Sequence, residues 1–386
     1  MNQFDAEVER RGSNSFKWDG NERQFGRTDL LPFWVADMDF ATPAPILQSI
    51  KDRVQHPVLG YEVRPAEYVD TVMGWIARRH GWSVPRDWLM FCPPSSIVAI
   101  YGLIMTQTKP GDGIIVPTPT YGPLLELVEK NGRRLIRCPL RETATRFELD
   151  VEGMAGLVER DGMMVLLCSP HNPTGRVFDD TELSALSELA NERQMIVVSD
   201  EVHADLIRPG RRHTPFGSLG VPRSATVFSP NKSFNTAGLP QSSLVIPDAA
   251  MRQSMQGFLD MLQINHDHTF GGPAMISAYR ECEGWLDDVV RYIDVNHARV
   301  AQFFSEQLPS VRVWPAEGTY LAWLDYRALG MDEGTVQRRL VDKGGVGLYP
   351  GSLFGEEGLG FLRMNVACPR SVLERGLQQI RRALLD

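Results

Sequence analysis

Cysteine is scarce in this chain. The five cysteines, Cys92, Cys138, Cys168, Cys282 and Cys368, are odd in number and far apart among 386 residues. That excludes a disulfide framework and a closely spaced Cys-x-x-Cys metal motif, and it favours a reducing compartment. A run of about 18 apolar residues, the length a membrane-crossing helix needs, is also missing. The N-terminal "MNQFDAEVERRG" mixes both signs of charge without an apolar stretch, so no secretory signal is expected. Basic excess is lacking as well: the net charge is -8, which argues against nucleic acid as the main partner. Repeats, low-complexity tracts and Ser/Gly linkers are absent. A soluble, cytoplasmic protein without membrane or nucleic-acid partners is predicted, and the length suffices for two domains.

What is present is an alternation of short apolar runs with longer helical stretches. "GIIVP" (113–117), "MMVLLCS" (163–169), "MIVVSD" (195–200), "ATVFS" (225–229) and "SLVIP" (243–247) are short, apolar and without polar alternation, as in strands covered on both faces. "DDTELSALSELANERQ" (179–194) opens acidic and repeats leucine at helical spacing. The alternation predicts an α/β fold with a mainly parallel, doubly wound sheet.

Ligands of such sheets collect beyond the carboxyl ends of the strands. "MMVLLCS" is followed by "PHNPTG", "MIVVS" by "DEVH" and "ATVFS" by "PNKSFN". One rim therefore receives Asn172, then Asp200 with His203, then Lys232. A lysine screened from water loses its proton easily and becomes a nucleophile able to form a Schiff base with a carbonyl cofactor. A lysine opposite an acid is the pattern used for pyridoxal phosphate. Each residue alone has an ordinary reading: a lysine after a strand is commonly a solvated loop residue, and an acid there commonly caps a helix.

The order Asn172, Asp200, Lys232, together with "PFWVADMDF" (32–40), "GY" (60–61), "PTYGP" (119–123), "PHNPTGRV" (170–177), "SDEVHADL" (199–206), "NKSFNTAGL" (231–239), "EGTYLAWLD" (317–325) and "RMNVACPR" (363–370), resembles the fold-type I pyridoxal phosphate enzymes. Within them it resembles the aminotransferase-like carbon-sulfur beta-lyases, cystathionine beta-lyases of the MalY and PatB kind. The resemblance implies a large cofactor-binding domain over residues 46–275 and a smaller α/β domain built from 1–45 and 276–386.

By the same resemblance, pyridoxal 5'-phosphate is the cofactor. Lys232 matches the Schiff-base lysine, Asp200 the partner of the pyridine nitrogen, Asn172 the partner of the phenolic oxygen and Tyr121 the ring stacked on the cofactor. His203 stands where many related transaminases have tyrosine; a histidine satisfied in the core is the alternative. Ser229 matches a phosphate-binding hydroxyl. Ser95 and Ser96 open a predicted helix whose N-terminus would receive the phosphate, in place of the glycine common among relatives. Tyr61 matches a tyrosine that reaches the phosphate from a neighbouring subunit, implying a homodimer with shared sites. Arg363 matches the arginine that grips the substrate carboxylate; Ala36 and Asp37 are placed near the entrance without a chemical role.

The implied activity is cleavage of cystathionine or another S-substituted cysteine to thiol, pyruvate and ammonia. An aminotransferase would use the same residues, and a non-enzymatic, cofactor-bearing regulator is the remaining alternative. "NHDH" (265–268) and the basic "RPGRRH" (208–213) read as loops rather than as a metal cluster or a nucleic-acid patch.

Overall fold

The apolar runs become strands whose successive side chains feed opposite faces. In the computed structural model, which describes residues 2–158 and 163–385, the principal sheet comprises β1 (Leu89–Phe91), β2 (Gly113–Thr118), β3 (Arg134–Pro139), β4 (Met164–Cys168), β5 (Ile196–Asp200), β6 (Ser224–Phe228) and β7 (Ser243–Val245). Its spatial order is β1-β7-β6-β5-β4-β2-β3. The pairs from β6 through β3 are parallel. β7 runs antiparallel to both β6 and β1, so the sheet is mainly parallel with one edge of mixed direction. The sequence reading did not single out β1 or β3, short or partly exposed edge strands without a continuous apolar run.

Period-two alternation explains the double coverage. Ile114, Val116, Met164, Leu166, Ile196, Val198, Ala225 and Val227 enter one core; Ile115, Val165, Leu167 and Val197 enter the core on the opposite face. Each of these valine, leucine, isoleucine and methionine side chains removed from water contributes about 1.5–3 kcal/mol, so neither face can be exposed cheaply. Helices α1 (Ala66–His80), α2 (Ser96–Gln107), α3 (Gly122–Lys130) and α4 (Asp180–Glu192) supply the framework that positions the site. α4 begins with a capping box: Asp179 accepts from the Glu182 amide while the Glu182 side chain accepts from the Asp179 amide.

A second, antiparallel sheet holds β8 (Arg312–Val313), β9 (Leu321–Asp325), β10 (Tyr349–Pro350) and β11 (Phe361–Asn365) in the order β8-β9-β11-β10. β11 is fully buried and carries Arg363. Among the described residues no helix is long and apolar enough to cross a membrane. The chain therefore has the α/β architecture expected of the fold-type I class, a mainly parallel sheet accompanied by a smaller α/β unit.

Candidate active site

Four parallel strands end on the same rim, and the residues just beyond them line one cavity of about 460 Å³. β2 delivers Tyr121, β4 Asn172, β5 Asp200 with His203, and β6 Ser229 with Lys232; Ser95, Ser96 and Arg363 complete the wall. Nine of the ten residues singled out in the sequence thus meet in one place. Tyr61 does not: it is 90% exposed, on the loop before α1, with its ring 5.0 Å from that of His266.

The electrostatics of the cavity follow from burial. Asp200 is buried, and the hydrogen bond it accepts, from the Val202 amide, is long at 3.4 Å. Desolvation therefore pushes its carboxyl up to about 6, against a smaller downward pull from Lys232. Lys232 faces the cavity with its amine below the surface, donating to the Ala36 carbonyl at 2.8 Å. Desolvation, then the nearby Arg363 cation, brings the amine down to about 8, with Asp37 and Asp200 opposing. A sizeable neutral fraction of a normally cationic group is thereby present near neutral pH.

Arg363 is buried against neutral partners. It donates to Asn172 Oδ1 at 3.0 Å and to the Trp34 carbonyl at 2.6 Å, its Nε has no partner among the described residues, and its guanidinium lies over the rings of Phe354 and Tyr349. Burial lowers it to about 10. A buried cation whose hydrogen bonds go to neutral oxygens retains a strong preference for an incoming anion. His203 is buried, and burial with the cations Lys232 and Arg363 holds it well below the usual histidine range. Its Nδ1 is without a partner among the described residues. It stands edge-on to Tyr320 at 5.9 Å.

The anion-binding end is built on α2. Ser95 is its N-cap, accepting from the Val98 amide at 3.2 Å. The first-turn amides of a helix lack intrahelical acceptors and carry the positive end of the dipole. The two serines thus form a helix opening without a glycine. Ser229 behaves differently: its hydroxyl lies 2.5 Å from Asn231 Oδ1 and 2.7 Å from the Gln241 carbonyl, so its proton is engaged within its own loop. On the opposite wall, glycine at position 122 permits a close approach: a Cβ there would lie 2.4 Å from the Leu353 carbonyl oxygen. With the Thr120 amide bonded to the Phe354 carbonyl at 2.8 Å, this brings Leu353 and Phe354 to the cavity beside Tyr121.

Sequence reasoning missed the role of the segment 34–39. Its carbonyls serve both cations: Trp34 accepts from Arg363, and Ala36 accepts from Lys232 and, at 2.9 Å, from the Tyr320 hydroxyl. Asn365 holds the Val35 and Asp37 carbonyls at 2.7 and 2.6 Å. Asn235 bonds the Met38 amide and the Met38 and Phe40 carbonyls. Asp37 pairs with Arg10 at 2.7 Å, and the buried Asp39 pairs with Lys17 at 2.7 Å and Arg10 at 2.6 Å. In the sequence this stretch was marked by the resemblance of "PFWVADMDF", which placed Ala36 and Asp37 near the entrance without a chemical role.

"RPGRRH" is a turn in which Arg208 pairs with Asp294 and Arg211 with Glu317, while His213 Nε2 lies 2.7 Å from a Glu201 carboxylate oxygen. "NHDH" lies in a loop where Asp267 pairs with Arg64.

The chain matches the family described as Aminotransferase class I and II over residues 46–380. It is 38% identical over 385 residues to cystathionine beta-lyase PatB of Bacillus subtilis, covering 99% of both chains. It is 31% identical to the protein MalY of Escherichia coli, over 98% of this chain and 97% of that one. Among solved structures it is similar to cystalysin from Treponema denticola, which contains pyridoxal 5'-phosphate, with a TM-score of 0.96, 33% identity, and coverage of 100% of this chain and 99% of that one. With the family's match extending over most of the chain and the cavity standing at the strand ends, this protein belongs to the aminotransferase class I and II family.

Proposed function

We propose that the protein is a pyridoxal phosphate dependent carbon-sulfur beta-lyase that cleaves L-cystathionine or another S-substituted cysteine. The observation that carries this reading is the meeting, in one cavity, of an amine lowered to about 8, a buried carboxylate without a strong donor and a buried guanidinium on neutral partners. These residues fit the cofactor. Asp200 and the orphaned Nδ1 of His203 are polar groups that burial makes costly unless a ligand meets them. The α2 N-terminus with Ser95 and Ser96 fits a phosphate, Tyr121 offers a ring face, and Asn172 a hydrogen-bonding amide.

When bound, pyridoxal phosphate supplies an aldehyde for the amine and a ring that accepts electrons. Lys232 would hold it through its amine, and the neutral Nζ is placed to accept the proton from the substrate alpha carbon. Asp200 would supply the negative charge that favours a proton on the ring nitrogen. Arg363 fixes the substrate carboxylate through its planar donors and thereby the orientation of the alpha carbon-hydrogen bond. Overall, an S-substituted cysteine and water give a thiol, pyruvate and ammonia.

The similarity to PatB supports elimination over transamination. The reading extends to a cytoplasmic homodimer in which the exposed Tyr61 completes the partner's phosphate site, and to a large domain over 46–275 with 1–45 and 276–386 as the small one. Holoprotein incubated with S-substituted cysteines and no keto acid acceptor distinguishes the outcomes. Repeated release of thiol and pyruvate is expected. One equivalent of pyridoxamine phosphate without further turnover would assign an aminotransferase, and inertness toward every such amino acid would favour the regulator.

A further inference from the structure

Lys232 sits in a turn after β6, outside any strand, so the position of its amine depends on how that turn is anchored. Three alternate residues anchor it to three different places. Asn231 closes the loop on itself, donating to the Leu239 carbonyl at 2.9 Å and accepting from the Gln241 amide at 3.1 Å. Asn235 holds the 38–40 backbone. Between them Ser233 is fully buried, and its hydroxyl donates to Asp205 at 2.8 Å.

Asp205 is buried and stands apart from the cavity lining. Its carboxylate also receives Trp75 Nε1 and His80 Nε2, each at 3.0 Å and both from α1. Desolvation alone would raise this acid, but the His80 and Ser233 bonds outweigh it and hold the carboxyl below the usual range. Those donors explain how the charge tolerates burial, not why a charge is placed there. A buried, fully bonded carboxylate adds little stability over a packed apolar substitute. What it adds is a fixed acceptor with rigid partners, and its one partner outside α1 is the residue next to Lys232. The strand of Asp200 has a parallel device: the buried Glu201 accepts from Ser199 Oγ at 2.8 Å and the Phe216 amide at 2.8 Å and meets His213 Nε2 at 2.7 Å. The rings of His213 and His80 meet edge-on with centroids 5.8 Å apart.

We infer that Asp205 is a positioning residue for Lys232, acting through the Ser233 hydroxyl to hold the lysine turn where the amine reaches the Ala36 carbonyl. The kinetic consequence rests on the lyase reading, whereas the placement of the amine does not.

Full-length Ser233→Ala, which deletes one oxygen, and Asp205→Asn test this with two readouts. In cofactor-free protein, trace acetylation followed by mass spectrometry gives the pH midpoint of Lys232 reactivity. Asp200, Asp37 and Arg363, the charged groups acting on the amine, remain in both variants, so a midpoint rising from about 8 toward that of an ordinary lysine reports the amine leaving its buried place. In holoprotein, kcat is expected to fall about tenfold to a hundredfold with KM unchanged, and the isotope effect with an alpha-deuterated S-substituted cysteine to rise as proton transfer slows. Loss of thermal stability with an unmoved midpoint and isotope effect would overturn the inference and leave Asp205 a purely structural acid. Should Asp205→Asn not fold, Ser233→Ala decides alone. A shifted midpoint in protein that releases no pyruvate would keep this inference and sink the lyase reading.

Discussion

The Ala36 carbonyl accepts two hydrogen bonds, from Lys232 Nζ at 2.8 Å and from the Tyr320 hydroxyl at 2.9 Å. An N-terminal segment thereby touches the amine on which the proposed chemistry depends, and through Trp34 it also touches Arg363. The two cations are consequently held by one piece of backbone, and several outcomes follow from how that piece and its partners are charged.

Lys232 is the first. Its amine is lowered to about 8 by burial and by Arg363, so the neutral, nucleophilic form grows as pH rises through 8 instead of through the ordinary lysine range. Competitive acetylation of cofactor-free protein should show a midpoint near 8 for Lys232. In Arg363→Gln the midpoint should move upward, because a repelling cation is gone. Lys232→Ala should lose covalent cofactor retention after borohydride reduction, by mass spectrometry, and at least about a hundredfold of turnover.

Asp200 trades stability for chemistry. Its folded carboxyl is raised to about 6 from 3.8, so its contribution is fully favourable below 3.8 and is lost as pH rises through 6. Removing the charge in Asp200→Asn should stabilise cofactor-free protein at pH 8 by about 3 kcal/mol, at 1.36 kcal/mol per unit, and have little effect near pH 4. Urea titrations at the two pH values measure this. The same variant should retain little pyruvate release.

Arg363 offers a fork that lysine cannot copy. Arg363→Lys keeps the charge but loses the paired donors and the contacts to Asn172 and Trp34. KM for an S-substituted cysteine should rise about tenfold to a hundredfold, the equivalent of roughly 1.5–3 kcal/mol for hydrogen bonds to a charged group. Steady-state kinetics check it; an unchanged KM would place the carboxylate elsewhere.

Asp39 holds the segment from behind. Lys17 is almost wholly buried and pairs with Asp39 at 2.7 Å, and Trp18 Nε1 donates to the same carboxylate at 2.9 Å. Asp39→Asn leaves the ammonium short of its closest counter-charge and should cost about 3–5 kcal/mol in chemical denaturation. Because Ala36 belongs to the same segment, the Lys232 midpoint should move as well.

The chain order of apolar runs, and the polar residues closing each, already specified a parallel sheet and the rim carrying Asn172, Asp200 and Lys232. Burial on both faces leaves a local signature in strands of this kind, and strand ends in a parallel sheet point the same way. Tertiary structure decided the rest. That Trp34 and Ala36 supply carbonyls to residues some 200 to 330 positions away, that Asp205 holds Ser233, and that the Ser229 hydroxyl is engaged by Gln241 are consequences of packing distant segments together. A backbone carbonyl has no side-chain identity to read, and a buried acid is told from an exposed one only by what folds over it. Composition and order thus chose the sheet and its reactive residues, while long-range closure set their charges, because desolvation belongs to the folded molecule and to no residue alone.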